Sequence, residues 1–298
     1  MSILVVGSIA FDSVKTPFGT CERALGGAAN FFSMTASLFT KVQLVGVVGE
    51  DFPKEHLKYL ESRGVDITGV QQTSGKTFYW QGAYGYDLNE AQTLKTELNV
   101  FEHFNPQLPE AYTNAQMVFL ANIDPVLQLQ VLNQVKKPQI VALDTMNLWI
   151  QHKNTELKQV ISKVDILFIN ESEIRQLADE RNTVKAAKKM QALGPQIIIV
   201  KRGEYGALLF YKQECFFTPA FPLEDLYDPT GAGDTFAAGF MAYLDQQGNV
   251  EFSTLKEAMR LGSVMASFVI EDFSFDRIKK LEKHEIDRRQ IEFKKLTT

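Results

Sequence analysis

Asp234 follows directly on a glycine-rich turn in "YDPTGAGDTFAAGF", Tyr227 to Phe240. Gly231 and Gly233 open backbone conformations closed to other residues and let an anion approach the chain closely. Beyond them Phe236, Phe240 and Leu244 recur every fourth residue, which predicts a helix ended by Gly248. The unpaired amides of its first turn, with the helix dipole behind them, form an anion site. Such a site suits charge that develops on a transferring phosphoryl group. A carboxylate there repels anions, so it either serves chemistry beside the site or simply caps the helix, worth about 1 kcal/mol. The turn alone leaves both open.

Two further groups of residues carry chemistry. Asn170 and Glu173, in "NESE" after the apolar run "ILFIN", are three apart and share a face on a helical turn. They can organise the water shell of Mg²⁺, which keeps several waters and uses few carboxylates. They also fit a capping box, with Asn170 as N-cap and Glu173 as its partner. In "ALGGAAN", Gly26 and Gly27 precede a small-residue helix start with Asn30 in its first turn. Amides and an asparagine there can bind hydroxyls, and Asp12 can accept two hydrogen bonds from a diol; an ordinary strand-to-helix loop is the alternative. Two look-alikes fail. "GVQQTSGKT" has one residue too many for a P-loop and leads into an alternating segment, and Gly7 in "VVGSIAFD" stands alone where a dinucleotide fingerprint needs three glycines. The four histidines, His56, His103, His152 and His284, have no metal-ligand spacing and read as surface or core residues.

These residues need a scaffold. Short, mostly apolar runs predict strands at Ile3–Val6, Val42–Val48, Met117–Ala121, Ile140–Asp144, Ile166–Asn170 and Ile197–Lys201. Helical patterns lie between them, at Gly26–Phe39, Pro53–Arg63, Val126–Val135, Thr155–Ser162, Glu171–Glu180 and Thr183–Leu193. The alternation predicts a doubly wound α/β fold, a mainly parallel sheet with helices on both faces and ligands at the carboxyl ends of its strands. Ser13–Ala24 and the aromatic, alternating stretch Gly75–Asp87 break the rhythm and read as a small sheet projecting from the body, the second as extended antiparallel structure. Arg277–Lys295 reads as one charged packing helix.

The 298 residues are 45% hydrophobic, enough for a large core in one or two domains. A net charge of −5 argues against nucleic acid or an anionic membrane as partner. No stretch approaches the roughly 18 to 20 apolar residues of a membrane span, and the first residues lack the pattern of a signal peptide. Cys21 and Cys215 fit no zinc spacing and read as reduced thiols. A cytoplasmic protein is expected.

In order along the chain, Asp12, Gly26-Gly27 with Asn30, Asn170 with Glu173, and Gly231-Ala232-Gly233-Asp234 resemble the ribokinase-like (PfkB) carbohydrate and nucleoside kinases. The resemblance covers nearly the whole chain. It implies a single domain, 1–298, with a small β lid formed by about 13–25 and 75–100. It implies an ATP-dependent kinase acting on a hydroxyl, most simply a primary alcohol of a sugar or sugar-like compound. Asp234 would be the catalytic base, and Gly231, Ala232 and Gly233 the anion hole. Asp12, Gly26, Gly27 and Asn30 would bind the acceptor. Asn170 and Glu173 would organise the nucleotide and Mg²⁺, Glu173 through water. "VKRGEYGA" resembles the family's nucleotide-side strand and turn and implicates Lys201, Gly203 and Gly206. Ser263 occupies the approximate place of an adenine-pocket residue, where the family often has asparagine. Pro229 departs from the signature and bears on any potassium ion held nearby. "LDTMNLW" is similar to a sugar-kinase strand end and adds Asn147, which leans toward a sugar; Phe78, Trp80, Tyr84 and Tyr86 in the lid lean toward a nucleoside. A homodimer through the lid, and a catalytically silent sensor on the same scaffold, also fit the resemblance.

Overall fold

The computed structural model describes residues 2–89 and 91–297; Met1, Glu90 and Thr298, which fall within the expected domain and, for Glu90, the expected lid, lie outside the described residues. In chain order the strands are β1 (Ser2–Val6), β2 (Ala10–Thr16), β3 (Gly19–Gly26), β4 (Lys41–Val48), β5 (Val65–Gln72), β6 (Phe78–Tyr84), β7 (Ala91–Glu97), β8 (Met117–Leu120), β9 (Ile140–Asp144), β10 (Ile166–Asn170), β11 (Ile197–Lys201), β12 (Ala207–Tyr211) and β13 (Glu214–Thr218). The helices are α1 (Ala28–Ala36), α2 (Lys54–Ser62), α3 (Pro125–Leu132), α4 (Asn147–His152), α5 (Asn154–Ile161), α6 (Glu171–Ala178), α7 (Thr183–Gln191), α8 (Ala232–Gln247), α9 (Phe252–Val269), α10 (Asp276–Lys279) and α11 (Lys283–Leu296).

Nine strands form the main sheet in the order β13-β12-β11-β10-β9-β8-β1-β4-β5. Neighbours from β11 to β5 are parallel, and β12 and β13 add an antiparallel edge. Strand alternation sends successive side chains to opposite faces. Ile3, Val5, Ile166, Phe168, Ile197 and Ile199 join one core with α1, α8 and α9. Leu4, Val6, Leu167, Ile169, Ile198 and Val200 join a second with α5, α6 and α7. Both faces are buried, which is why these strands read as unbroken apolar runs. The first core is keyed by aromatic contacts: Phe32 stacks on Phe119 at 4.3 Å, and Phe168 meets Phe240 of α8 edge-on at 5.4 Å.

A second sheet of four strands has the order β3-β2-β6-β7. The expected antiparallel character holds for β2 with β3 and for β6 with β7, but the central β2 and β6 run parallel. A long crossover joins them, which local alternation does not reveal. The charged tail divides into α10 and α11, because the turn before Glu282 starts a new capping box with Glu285. Cys21 and Cys215 are free. Among the described residues no helix is long and apolar enough to cross a membrane.

Candidate active site

Because the central strands are parallel, their carboxyl ends share one edge. Asp144 ends β9 in register with Phe168, and Asn170 ends β10 in register with Lys201 at the end of β11. The ammonium of Lys201 reaches across to Asp144, Nζ to Oδ2 2.6 Å. Asn170 caps α6: its Oδ1 accepts from the Glu173 amide at 2.8 Å, and Glu173 Oε2 accepts from the Asn170 amide at 2.9 Å. The capping box is therefore present. Burial lifts the Glu173 carboxyl to about 7, with the charge of Lys201 and the backbone of Asn170 and of Asn147, exposed at the start of α4, acting against the rise.

Alongside this edge opens the N-terminus of α8. Gly231 has φ 78°, and a Cβ there would lie 2.4 Å from the Phe31 ring, so both backbone and space require glycine. Ala232 N bonds Pro229 O at 3.2 Å and Thr235 N bonds Gly231 O at 2.9 Å. Between them the Gly233 amide is given no backbone carbonyl, as expected of a first turn. The N-cap, Gly231, has no side chain to cap the helix, and the Asp234 carboxyl accepts only from its own amide in the first turn. That carboxyl is pushed up to about 7 by burial and by the charge of Asp144, with Lys201 acting against the rise. A carboxylate that titrates near neutrality is suited to accept a proton.

The remaining predicted residues divide into three sets. Asp12 on β2 is 8% exposed and approaches Gly26 so closely that a Cβ there would lie 1.9 Å from its Oδ2. Burial lifts its carboxyl to about 7, opposed by the Gly27 amide and reinforced by Asp228 and Asp234, which places it on the same site. Asn30 stands behind it, fully buried, with Nδ2 donating to Gly26 O at 3.2 Å and Oδ1 facing His56 Nε2 at 2.9 Å. The asparagine thus braces the Gly26 turn from within. Gly203 and Gly206 follow Lys201 in a short turn, where Gly203 packs against Asn89 at the tip of the small sheet. Ser263 is buried inside α9 and is not brought to this cluster by any hydrogen bond.

Three residues here take parts that the motifs do not give them. Asp144 is the acidic end of an otherwise apolar strand, which is the signal that could have found it. Asp228 accepts from the Thr230 amide at 2.9 Å and is 2% exposed. Tyr84, at the end of β6, sets its hydroxyl 3.2 Å from that of Thr230 and so joins the small sheet to the approach of the glycine turn. Two other aromatics expected in the lid point elsewhere: Phe78 stacks on Phe101 at 5.3 Å, and Tyr86 is wholly exposed. Among the described residues no three or more His, Cys, Asp or Glu side chains are grouped to hold a metal ion. Glu173, with its backbone partners, fits Mg²⁺ only through water, as suits an ion that dehydrates reluctantly.

Residues 2–277 match the model of the pfkB family of carbohydrate kinases. A cytidine kinase of Thermococcus kodakarensis is 32% identical over 278 residues, covering 91% of this chain and 96% of that one. A crystal structure of the Methanocaldococcus jannaschii nucleoside kinase superposes with TM-score 0.76 at 21% identity, covering 98% of both chains. The Burkholderia thailandensis nucleoside kinase in complex with inosine gives TM-score 0.77 at 19% identity, covering 97% of both. The last two speak for the ribokinase-like fold alone. The family match, the glycine turn and the strand-end residues agree along the chain: it belongs to the pfkB family of carbohydrate kinases and is a phosphotransferase with an alcohol group as acceptor.

Proposed function

We propose that the protein transfers the γ-phosphoryl group of ATP to the primary hydroxyl of a nucleoside. The observation that carries the reaction is the buried Asp234 carboxyl, lifted to about 7, at the mouth of α8 beside the glycine turn. The nucleoside is supported by the cytidine kinase relative and by Tyr84, whose ring stands at the same site as Asp12 and Asp234. A sugar without a base would leave that ring unused.

Asp12 holds the acceptor's diol, with the Gly26–Gly27 turn packed against it and Asn30 bracing the turn. The primary hydroxyl then points at Asp234, and its proton passes to that carboxylate as the oxygen attacks phosphorus. The bond from γ-phosphorus to its bridging oxygen breaks and ADP leaves. The amides of Gly231 and Gly233 receive the charge on the moving phosphoryl oxygens, while that of Ala232, bonded to Pro229 O, holds the turn that presents them. In a loose transition state early deprotonation is unnecessary, so an ordinary carboxylate suffices. Glu173 would hold Mg²⁺ through water, and the ion would neutralise charge on the phosphates. The small sheet acts as a lid that keeps water from the phosphoryl group.

Two measurements test this. A panel of nucleosides and sugars with ATP and Mg²⁺ should yield a nucleoside 5′-monophosphate; turnover of sugars alone would overturn the acceptor class. Asp234→Asn should lower kcat by about 10²- to 10⁴-fold while the protein stays folded. A near-normal kcat would remove Asp234 from its role.

A further inference from the structure

Lys201 occupies an electrostatically awkward position. Its Nζ lies only 3.0 Å from where a Cβ on Gly233 would stand, so a cation sits against the first turn of α8. That is the positive end of the helix dipole, where negative charge is favoured. The ammonium stays charged nonetheless: burial opposes its charge, but Asp144 and then Glu173 raise its pKa above the ordinary lysine value. The fold thus converges an ammonium and a set of helix amides on one spot. Both features become favourable together when a phosphoryl group fills it.

The ammonium is also held in place. The Asp144 side chain is 4% exposed and bonds Lys201 through Oδ2, while its Oδ1 accepts from the Thr145 amide at 2.9 Å. Its backbone carbonyl is bonded by fully buried Gln128 at 3.3 Å. Lys201 can therefore approach a ligand from one side only, with Asp144 fixed behind it.

We infer that Lys201 is a catalytic residue whose ammonium contacts a γ-phosphoryl oxygen throughout transfer, and that Asp144 is the positioning residue that aims it. The inference rests on the phosphoryl-transfer reading above and moves Lys201 from general nucleotide binding to the reacting group. Lys201 gives up no proton; the hydroxyl proton still goes to Asp234, and the ammonium offsets charge on the phosphoryl oxygens as one P–O bond breaks and the other forms. Asp144 acts on both neighbours, since its carboxylate also raises Asp234.

Calorimetry with ADP and with β,γ-imido-ATP, both with Mg²⁺, tests the contact without an acceptor. Lys201→Met should leave the ADP Kd within about threefold and abolish the wild-type preference for the imido compound, with kcat down by about 100-fold or more. Lys201→Arg should restore the preference and part of kcat. Asp144→Asn should lower kcat and move the acid limb of kcat/KM to lower pH, which a purely structural role would not do. Equal loss of ADP and imido-ATP affinity in Lys201→Met, or a preference that survives, would overturn the inference. If Lys201→Met does not fold, the paired Asp144→Asn, Lys201→Met protein, which removes the carboxylate bonded directly to the ammonium, takes its place with the same expected and overturning results. If the wild type turns over no nucleoside, the acceptor proposal falls, while the two nucleotide affinities still decide the place of Lys201.

Discussion

Asp12, Glu173 and Asp234 all hold their protons up to about 7, each first because it is buried. Unfolded, such carboxyls titrate near 4. Between about pH 4 and 7 the native state therefore binds more protons than the unfolded chain. The stability they contribute is complete below about pH 4 and is lost as pH rises through about 7. Activity runs the opposite way, because Asp234 must be ionised to take a proton. We expect kcat/KM to climb about tenfold per pH unit below about pH 7 and then level off. Over the same interval the urea midpoint of the unliganded protein should fall, and Asp12→Asn should flatten that fall. A flat rate profile from pH 5 to 8 would mean that Asp234 is not lifted. At this scale the sequence is informative where types and spacing suffice: the glycine turn with Asp234, and Asn170 with Glu173. It shows Asp144 as the acidic end of an apolar strand but is silent on its part, which depends on Lys201, 57 residues away. It is silent too on His56, which is unremarkable until α2 brings it to Asn30.

Elements decide how firmly those residues are held. α8 packs on α9 at two glycines, and a Cβ on Gly262 would lie 2.9 Å from the Phe236 carbonyl. Gly262→Ala should force the helices apart, costing about 1–3 kcal/mol in urea unfolding. Because α8 carries Asp234 in its first turn, kcat should fall several-fold as well. Unchanged stability and rate would show that the pair yields without moving α8. On the other side, His56 lies between Phe52 and Phe275, and burial, with Lys279, lowers its pKa to about 4, so it is neutral at physiological pH. His56→Leu would leave Asn30 Oδ1 buried without a donor, a loss of about 1–3 kcal/mol. The acceptor KM should rise in step, since Asn30 braces the turn against Asp12; a stability loss with an unaltered KM would make His56 a core residue only. The central strands and the helices between them were legible because two-sided burial writes itself as apolar runs. β5 is not apolar throughout, carrying Asp66, Gln71 and Gln72, and the β12–β13 hairpin follows no strand-helix alternation, so the pattern marks neither.

At the scale of the molecule, the carboxylate proposed to hold the acceptor and the one proposed to deprotonate it belong to different bodies. Asp12 rides on the small sheet, in register with Trp80, whereas Asp234 is fixed to α8 and the main core. β1 runs into β2 through three residues, and β3 meets α1 at Gly27, so the small sheet is tethered by the chain close to the site and only by side-chain contacts at its far tip. There it meets the body through Tyr84 at Thr230 and Asn89 at Glu204. The chain's two tryptophans divide along the same line. Trp80 sits on the small sheet with its indole bonded to Thr93, and Trp149 sits on α4 bonded to Asn122. The molecule thus carries its own pair of optical labels, one on each body. If the small sheet closes over a bound nucleoside, emission should change in a Trp149→Phe protein and stay constant in a Trp80→Phe protein. A signal carried by Trp149 alone would place the motion in the body instead.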